Sequence, residues 1–378
     1  MRFEVLVTFA SAVREIGLPA FQFRNKRYVP LRNGDMLAEM HQRLDTPEVS
    51  RGRILRLPRA GAARERSIAI TLDDVERAEE RIMRHLRYTP QMKTWLARDD
   101  GARYKVSLKL ENLQLTEGFA VRGMLNAALA LAPHLLARGL VGYGLMHGTA
   151  AAFTGHVLQV PSLVYLYPKN AESDELVRSL EYWGARIEVV SGKTLAHAER
   201  AARAGAEQHD MTYIHSSASP SFIAGCGTIG LEMLEFAPEL DVLVAAVGYG
   251  PLIAGVAAAV KQIKPEIRVV GVDRVEPRNG YPFEVDAPHT WRRHRLGSIL
   301  DRAAPACLEL IDRYAEDIVL VSQAEILDTA HHLWAELEVR TGSFGSSAVA
   351  ALSLGRVAVE PWEAIGAVIS TAGGDGLF

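Results

Sequence analysis

The segment DVLVAAVGYGPLIAGVAAAVKQI, residues 241–263, decides the fold of this protein. Its apolar first part predicts a buried strand, and its last part predicts a helix that starts at Pro251. Between them, Gly248-Tyr249-Gly250 places backbone N–H groups and the positive end of the helix at one point outside the sheet. This geometry suits a phosphate group, although glycine also serves tight turns that bind nothing.

Similar apolar runs alternate with helical segments along most of the chain. We expect strands at 104–110, 139–144, 163–167, 186–190, 242–247, 268–272 and 367–370. Buried strands that are separated by helices form a parallel sheet with helices on both faces. The sequence therefore predicts an α/β protein.

Two helices are predicted with their boundaries. Thr71 can cap a helix whose apolar residues recur every three or four positions as far as Leu86, with two aspartates in the positive first turn. Pro90 is expected to end this element. A long helix is expected over 119–136, after a polar loop at 111–118.

Composition limits the class of protein. The chain has 378 residues and a net charge of -3, so it carries no global basic field that would attract nucleic acid or an anionic membrane, although this leaves local binding open. The cysteines, Cys226 and Cys307, match no metal or redox spacing and predict a reduced, intracellular protein with two buried thiols. Charges at Arg2 and Glu4 argue against a signal peptide, and no apolar run is long enough to span a membrane.

The first 70 residues differ in composition from the rest. They end in an arginine-rich stretch, 51–66, that is interrupted by Pro58 and Gly61 and has little apolar periodicity. We interpret it as a linker or docking arm, with a site for phosphate or an acidic partner as the alternative.

Several longer stretches together resemble a known family. They are TLDDVERAEERIMRHLRYTP from residue 71, VSLKLENLQLTEGFAVRGMLNA from 106, IAGCGTIGLEMLEFAPELD from 223 and VGYGPLIAGVAAAVKQIKPEIRVVGVD from 247. The chain from about residue 70 resembles the fold-type II pyridoxal phosphate enzymes, of the tryptophan synthase β-like fold, in the threonine/serine dehydratase and serine racemase branch. The resemblance implies two domains with pyridoxal 5′-phosphate between them. We expect an N-terminal extension at 1–70, a large cofactor domain from 71–134 and 216–378, and a small mobile domain at 135–215.

The resemblance also exposes a departure at the residue that does the chemistry. The family motif T-G-S-F-K-x-R-G, whose lysine forms the Schiff base with the cofactor, stands here as TEGFAVRG, residues 116–123. Ala120 occupies the lysine position and has no amine, so the internal aldimine cannot form there. Only eight of the 42 basic residues are lysine. Lys109 fills a position where the family also has lysine, which implies a structural role.

Other family positions differ as well. The S-G-N-H-A loop aligns with Tyr143 to Thr149, where Met146 replaces the asparagine. Tyr249 and Pro251 replace two glycines of the phosphate loop, and Gly342 replaces a glutamate. The resemblance implies cofactor contacts from Phe119, Met146, Gly248, Tyr249, Gly250, Pro251, Leu252, Ser370 and Thr371, and substrate contacts from Thr116, Tyr143, Gly144, His147, Gly148 and Thr149.

The C-terminal motif S-G-G-N becomes Ser370-Thr371-Ala372-Gly373-Gly374-Asp375. Either of its two hydroxyls could meet the pyridine nitrogen of the cofactor. A neutral partner leaves that ring largely unprotonated, which suits prompt loss of a β-leaving group.

The implied function is a lyase that acts on an amino acid by α,β-elimination, of the dehydratase or ammonia-lyase type, with alanine in place of the catalytic lysine. A naturally altered or non-catalytic relative and a β-replacement enzyme are the alternatives, and the size of Tyr143 and Met146 favours a substrate larger or less polar than serine. A nicotinamide-dependent dehydrogenase, in which Asp273 would bind the ribose, is a further alternative, although the glycines do not match the G-x-G-x-x-G spacing.

No metal is assigned, because a cation site at Asp273 and Asn279 lacks a clear ligand set. We expect a cytoplasmic homodimer.

Overall fold

The computed structural model describes residues 69–275, 303–342 and 344–373, together with the backbone of three short strands nearer the N-terminus. The chain divides into two units, Met1–Arg51 and Gly52–Phe378. In the first unit, β1 (Phe21–Phe23) and β2 (Lys26–Tyr28) form an antiparallel pair. Apart from β3 (Leu55–Arg56), the arginine-rich stretch lies outside the described residues, as do Asn279, Gly374 and Asp375.

The second unit alternates strands and helices. Its further strands are β4 (Gln91–Ala97), β5 (Arg103–Leu110), β6 (Leu140–Tyr143), β7 (Ser162–Leu166), β8 (Arg186–Val189), β9 (Thr212–Tyr213), β10 (Val242–Ala246), β11 (Arg268–Val275), β12 (Asp317–Ser322) and β13 (Ile365–Ile369). Its helices are α1 (Leu72–Ile82), α2 (Ala120–Leu129), α3 (Pro133–Leu136), α4 (Met146–Leu158), α5 (Pro168–Ala171), α6 (Asp174–Tyr182), α7 (Leu195–Gln208), α8 (Pro220–Phe236), α9 (Pro251–Ile263), α10 (Pro305–Tyr314), α11 (Gln323–Leu337) and α12 (Ser347–Ser353).

The strands form two separate sheets. The larger has seven strands in the order β3-β12-β11-β10-β13-β5-β4, parallel except at its two outer pairs. The smaller has four parallel strands in the order β8-β7-β6-β9. The predicted α/β fold with two mostly parallel sheets is confirmed. The division into domains at 134/135 and 215/216 stays a prediction.

The first predicted helix is confirmed at its start and wrong at its end. Thr71 caps α1 through a capping box with Asp74, as its position in the sequence indicated. The helix ends at Ile82, well before Pro90, so Leu86 lies outside it. The predicted long helix is also wrong, because α2 ends at Leu129 and Pro133 starts the separate helix α3. A proline disfavours helical geometry in the residue before it, which explains this break.

A buried charge network fixes α2 to the larger sheet. The Arg122 guanidinium donates to Glu111 Oε2 at 2.8 Å and to Glu232 Oε1 at 2.6 Å, and all three side chains are buried. Burial opposes the charge on Arg122, but these two carboxylates raise its pKa above the usual value. Lys109 donates to Glu232 and, at 2.7 Å, to the Thr89 carbonyl oxygen. Its predicted structural role is confirmed.

Both cysteines are free and buried, as predicted. In the part of the chain that the structure describes, no helix is both long and apolar enough to cross a membrane.

Candidate active site

The turn between β10 and α9 forms an anion cradle. Gly248 and Gly250 both have positive φ, 51° and 95°, so glycine is the least strained residue at each. A Cβ on Gly248 would meet only the Phe344 ring, at 3.7 Å, whereas a Cβ on Gly250 would lie 2.9 Å from Cys307 Cβ. Gly248 therefore borders open space and Gly250 permits close packing.

The first turn of α9 supplies free donors to this cradle. Pro251 is the first helical residue and lacks an N–H, but its fixed φ suits that position. The next N–H groups, of Leu252 and Ile253, have no acceptor inside the helix because they belong to its first turn. The loop therefore keeps the donors and the positive helix end that a phosphate requires.

The segment before α2 is joined to the end of β13. The Phe119 N–H donates to the Ser370 carbonyl at 3.1 Å. The Glu117 carbonyl accepts from the Ala372 N–H at 2.8 Å and from Thr371 Oγ1 at 2.9 Å. Ala120, 6% exposed, follows directly on this junction. The lysine position of the family motif thus lies beside the strand end that carries the predicted ring partner.

The two candidate hydroxyls differ in what they contact. Thr371 Oγ1 is committed to the Glu117 carbonyl and also accepts from the Gly373 N–H at 3.3 Å. Ser370 is buried, and its hydroxyl has no hydrogen-bond partner among the described residues. Ser370 is therefore the better candidate for a ring nitrogen.

Met146 lies at the same junction. A Cβ on Gly118 would be 3.4 Å from Met146 Cε, 3.2 Å from Thr371 Oγ1 and 3.4 Å from the Ser370 carbonyl. The residue in the asparagine position thus presents a thioether methyl group beside both hydroxyl residues, and it offers no hydrogen-bond donor there.

Two glycines fit tightly against the end of β13. A Cβ on Gly342 would lie 2.2 Å from the Gly373 carbonyl oxygen, and one on Gly345 would lie 2.1 Å from the Thr371 carbonyl oxygen. The Gly342 N–H also donates to the Thr371 carbonyl at 3.0 Å. No side chain fits at 342 in this arrangement, so the glutamate expected from the family could not be accommodated here.

The substrate-loop residues occupy the carboxyl edge of the smaller sheet. Gly144 has a φ of 59°, and its N–H donates to the Tyr165 carbonyl at 2.9 Å. His147, Gly148 and Thr149 follow in the first turn of α4. Thr116 is half-buried in the loop before α2, where its hydroxyl donates to the Gly118 carbonyl at 3.4 Å.

Tyr143 belongs to a hydrogen-bonded group that reaches α7. Its hydroxyl is hydrogen-bonded to that of Tyr213, which donates to Glu199 Oε1 at 3.4 Å. Arg203 donates to the same carboxylate oxygen at 2.6 Å. Burial raises the pKa of Tyr143 well above its usual value and that of Tyr213 to about 12, so both hydroxyls stay protonated. The Tyr143 ring is 5% exposed and is largely taken up by these contacts.

His147 is a buried neutral imidazole. Its Nε2 donates to the Ile214 carbonyl at 2.8 Å, and its Nδ1 has no partner among the described residues. Burial lowers the pKa of His147 to about 4. Its ring packs against Tyr143 and Phe222, with centroids 4.5 Å and 6.4 Å away.

Besides Lys109, six lysines lie among the residues whose side chains the structure describes. Lys93, Lys261 and Lys264 form ion pairs with Glu239, Glu316 and Asp241. Lys105 lies over the Trp95 ring, and Lys169 and Lys193 are exposed around the smaller sheet. None of these described lysines is recorded in contact with the junction of Phe119 and Ser370.

Sequence reasoning missed Glu117 as a site residue. Its φ of 56° is left-handed, a region that glycine adopts most easily. The family motif has glycine at this position, so the substitution itself was a visible signal. The positive φ and the contacts of its carbonyl could be learned only from the structure.

Pyridoxal phosphate fits this site in two of three respects. The Gly248 loop and the start of α9 offer a cradle for its phosphate, and the hydroxyl of the buried residue Ser370 is available for its ring nitrogen. Ala120 offers no amine, so the covalent attachment used by the family has no residue to form it. The described site suits the cofactor as a non-covalently held group.

The fold and the site define an α/β enzyme that holds a phosphate-bearing cofactor beside two sheets of mostly parallel strands. Residues 82–371 match the model of the family described as "Pyridoxal-phosphate dependent enzyme". This chain belongs to that family, and the nicotinamide alternative finds no support in the match.

The chain is similar to curated dehydratases and ammonia-lyases. It is 30% identical to a putative threonine dehydratase of Sinorhizobium fredii, over 80% of this chain and 91% of that protein. It is 27% identical to the L-threonine ammonia-lyase of Thermotoga maritima, over 75% of this chain and 71% of that protein. The chain is thus a member of the dehydratase and ammonia-lyase group of pyridoxal-phosphate dependent enzymes.

The fold also matches solved structures. Maize serine racemase superposes with a TM-score of 0.70 at 22% identity, covering 82% of this chain and 95% of that one. At this identity the likeness supports the fold alone.

Proposed function

We propose that this protein binds pyridoxal 5′-phosphate between the Gly248 loop and Ser370, and that its reaction is α,β-elimination from an amino acid. The observation that carries the proposal is the anion cradle of α9, which follows β10, together with Ser370 at the end of the neighbouring strand β13, a buried residue whose hydroxyl forms no hydrogen bond with the described residues. Similarity to threonine dehydratases and ammonia-lyases supports the choice of reaction. With alanine at position 120, we infer that the chain as it stands is catalytically inactive.

Each part of the site has a separate role in this proposal. The bound cofactor supplies an electron sink for the amino acid. The Leu252 and Ile253 N–H groups bind its phosphate, and Ser370 donates to its ring. The first-turn N–H groups of α4, at His147 and Gly148, bind the substrate carboxylate. Phe119 and Met146 close the apolar side of the pocket and exclude water.

A second candidate is a naturally altered or non-catalytic protein. Met146, Tyr249 with Pro251, and Gly342 depart from the family at separate places, and Gly342 is fitted to its surroundings by a close backbone contact. Close packing around Gly342 favours a natural change to which the surrounding structure has adapted over a single inactivating substitution. A β-replacement enzyme would use the same residues with a different second substrate.

Substitution of Ala120 by lysine separates these candidates. We expect Ala120→Lys to attach the cofactor covalently, so that borohydride reduction adds the mass of the cofactor to the peptide containing residue 120. The same variant should release ammonia and a 2-oxo acid from β-substituted amino acids. Ala120→Met, which has a side chain of similar length without an amine, is the matched control and should do neither.

A fluorescence titration of the unaltered chain tests cofactor binding independently of catalysis. Saturable binding of pyridoxal phosphate at micromolar concentrations is expected. If binding is absent, the enzyme proposal fails; if it is present but Ala120→Lys stays inactive, the non-catalytic candidate is favoured.

We further propose that the segments 71–134 plus 216–378 and 135–215 are the large and small domains, and that the protein is a cytoplasmic homodimer. The two sheets support this division, since β6 to β9 all lie within 135–215. The free cysteines are compatible with a reducing compartment. Light scattering after size exclusion measures the oligomeric state, and fractionation of the native cell measures the compartment.

A further inference from the structure

Glu117 is held in an unfavourable backbone conformation by its neighbours. Its φ is 56°, and a side chain in the left-handed region costs free energy that glycine does not. Its N–H donates to the Gln114 carbonyl at 2.8 Å, while its own carbonyl binds Ala372 and Thr371. Backbone strain of this kind recurs at functional sites. The position is fixed on both sides, so its side chain leaves the loop in a defined direction.

The Glu117 carboxylate lies where three parts of the site meet. A Cβ built on Gly373 would be 3.6 Å from Glu117 Oε2 and 3.8 Å from Leu145 Cδ2. Gly373 follows the strand end that bears Ser370, and Leu145 precedes α4. Glu117 itself is three residues before Ala120. The carboxylate therefore borders the proposed pocket and is exposed enough to meet a ligand.

No cation among the described residues neutralises this carboxylate. The described ion pairs do not include Glu117. Arg340, two residues before Gly342, directs its Nη2 to Glu175 at 3.3 Å. Arg274 lies over the Phe344 ring, 5.6 Å from its centroid. An unpaired carboxylate beside a pocket attracts a cationic group and repels an anionic one.

Resting on the proposed function, we propose that Glu117 is a specificity residue that binds a second, cationic group on the side chain of the amino-acid substrate. The substrate class is then a diamino acid rather than serine or threonine, whose hydroxyl carries no charge. The carboxylate accepts charge-assisted hydrogen bonds from the ammonium group at the mouth of the pocket.

The test uses stable ligands that need no lysine. Borohydride-reduced adducts of pyridoxal phosphate with 2,3-diaminopropionate, with alanine and with aspartate are titrated into the full-length chain by fluorescence. We expect the diaminopropionate adduct to bind about tenfold more tightly than the alanine adduct, and the aspartate adduct more weakly than both. The preference should shrink at high salt.

Glu117→Gln should abolish the preference while leaving the alanine adduct bound as before. Glu338→Gln is the matched control, because Glu338 is also exposed with a φ of 55° but caps α11; it should keep the preference. Equal binding of the three adducts to the unaltered chain, or a preference that survives Glu117→Gln, overturns the specificity role of Glu117 and leaves the proposed function standing. If neither the adducts nor pyridoxal phosphate bind, the proposed function fails with it.

Discussion

At the scale of single residues, the site combines parts that are retained with one that is missing. The α9 cradle and the Ser370 hydroxyl remain available for a phosphate-bearing ring, while position 120 has lost the amine. Ala120 is the first residue of α2 and follows Glu117 by three positions, so two departures from the family motif fall within one short segment.

The strain at Glu117 predicts a stability effect. Glu117→Gly should raise the free energy of unfolding by about 0.5–1 kcal/mol, because the left-handed conformation costs a side chain about 1–2 kcal/mol and the flexibility of glycine in the unfolded chain offsets part of the gain. Urea denaturation measures this change. Glu117→Gln keeps the strain and should leave stability unaltered; a loss of stability in the glycine variant would contradict the explanation.

His147 predicts a dependence of stability on pH. Its pKa is about 4 in the folded protein, below its ordinary value of 6.5, so the unfolded chain takes up the proton first. Neutral His147 therefore makes its full contribution to the free energy of unfolding above pH 6.5. As the pH falls to about 4, this contribution is lost and the free energy of unfolding decreases by about 3 kcal/mol. His147→Gln lacks this titration, and its stability should fall less over the same range in urea denaturation. Parallel pH profiles for the two proteins would contradict the prediction.

At the scale of elements, α8 and α9 approach closely through glycines. A Cβ on Gly255 would lie 2.2 Å from the Ile223 carbonyl and 2.7 Å from the Gly227 nitrogen, both backbone atoms that cannot rotate away. Gly255→Ala should therefore destabilise the protein by about 1–3 kcal/mol in thermal unfolding and displace the start of α9.

Gly230→Ala is the matched control at the same helix pair. Its new Cβ would meet Val260 Cγ1, a side-chain atom that can move, at 2.9 Å, and its nearest backbone atom, the Val256 carbonyl oxygen, would be 3.2 Å away, farther than the backbone contacts at Gly255. Its cost should be smaller than that of Gly255→Ala. If Gly230→Ala destabilised the protein as much as Gly255→Ala or more, the contact with backbone atoms would not be the reason that position 255 requires glycine.

The sequence predicted the type of most elements because buried strands and amphipathic helices differ in period. It missed β4, an antiparallel edge strand whose residues alternate in exposure and include charge. It also missed β12, an apolar run like those that were recognised, and the break before Pro133, where the proline was a usable signal. The glycine cradle and Ala120 were found from motifs. The meeting of Glu117, Met146 and Gly373 was not, because it depends on contacts between segments far apart in sequence.

At the scale of the whole molecule, cofactor binding should stabilise the fold through its phosphate. A ligand that binds only the folded state at 100 times its dissociation constant adds about 2.7 kcal/mol of stability. Pyridoxal phosphate should therefore raise the unfolding temperature in calorimetry, and pyridoxal, which lacks the phosphate, should raise it much less. If pyridoxal phosphate and pyridoxal raised the unfolding temperature equally, the proposal that the α9 cradle binds the phosphate would be wrong.

The departures from the family motifs differ in how easily a substitution can reverse them, because Gly342 packs closely against the end of β13. Restoring the amine at 120 takes one substitution on a helix that otherwise stays as it is. Restoring the glutamate at 342 places a Cβ 2.2 Å from the Gly373 carbonyl, so the strand end that carries Ser370 would have to move first. A laboratory lineage selected for renewed lyase activity should therefore regain lysine early and retain Gly342, unless changes after residue 370 open the space beforehand.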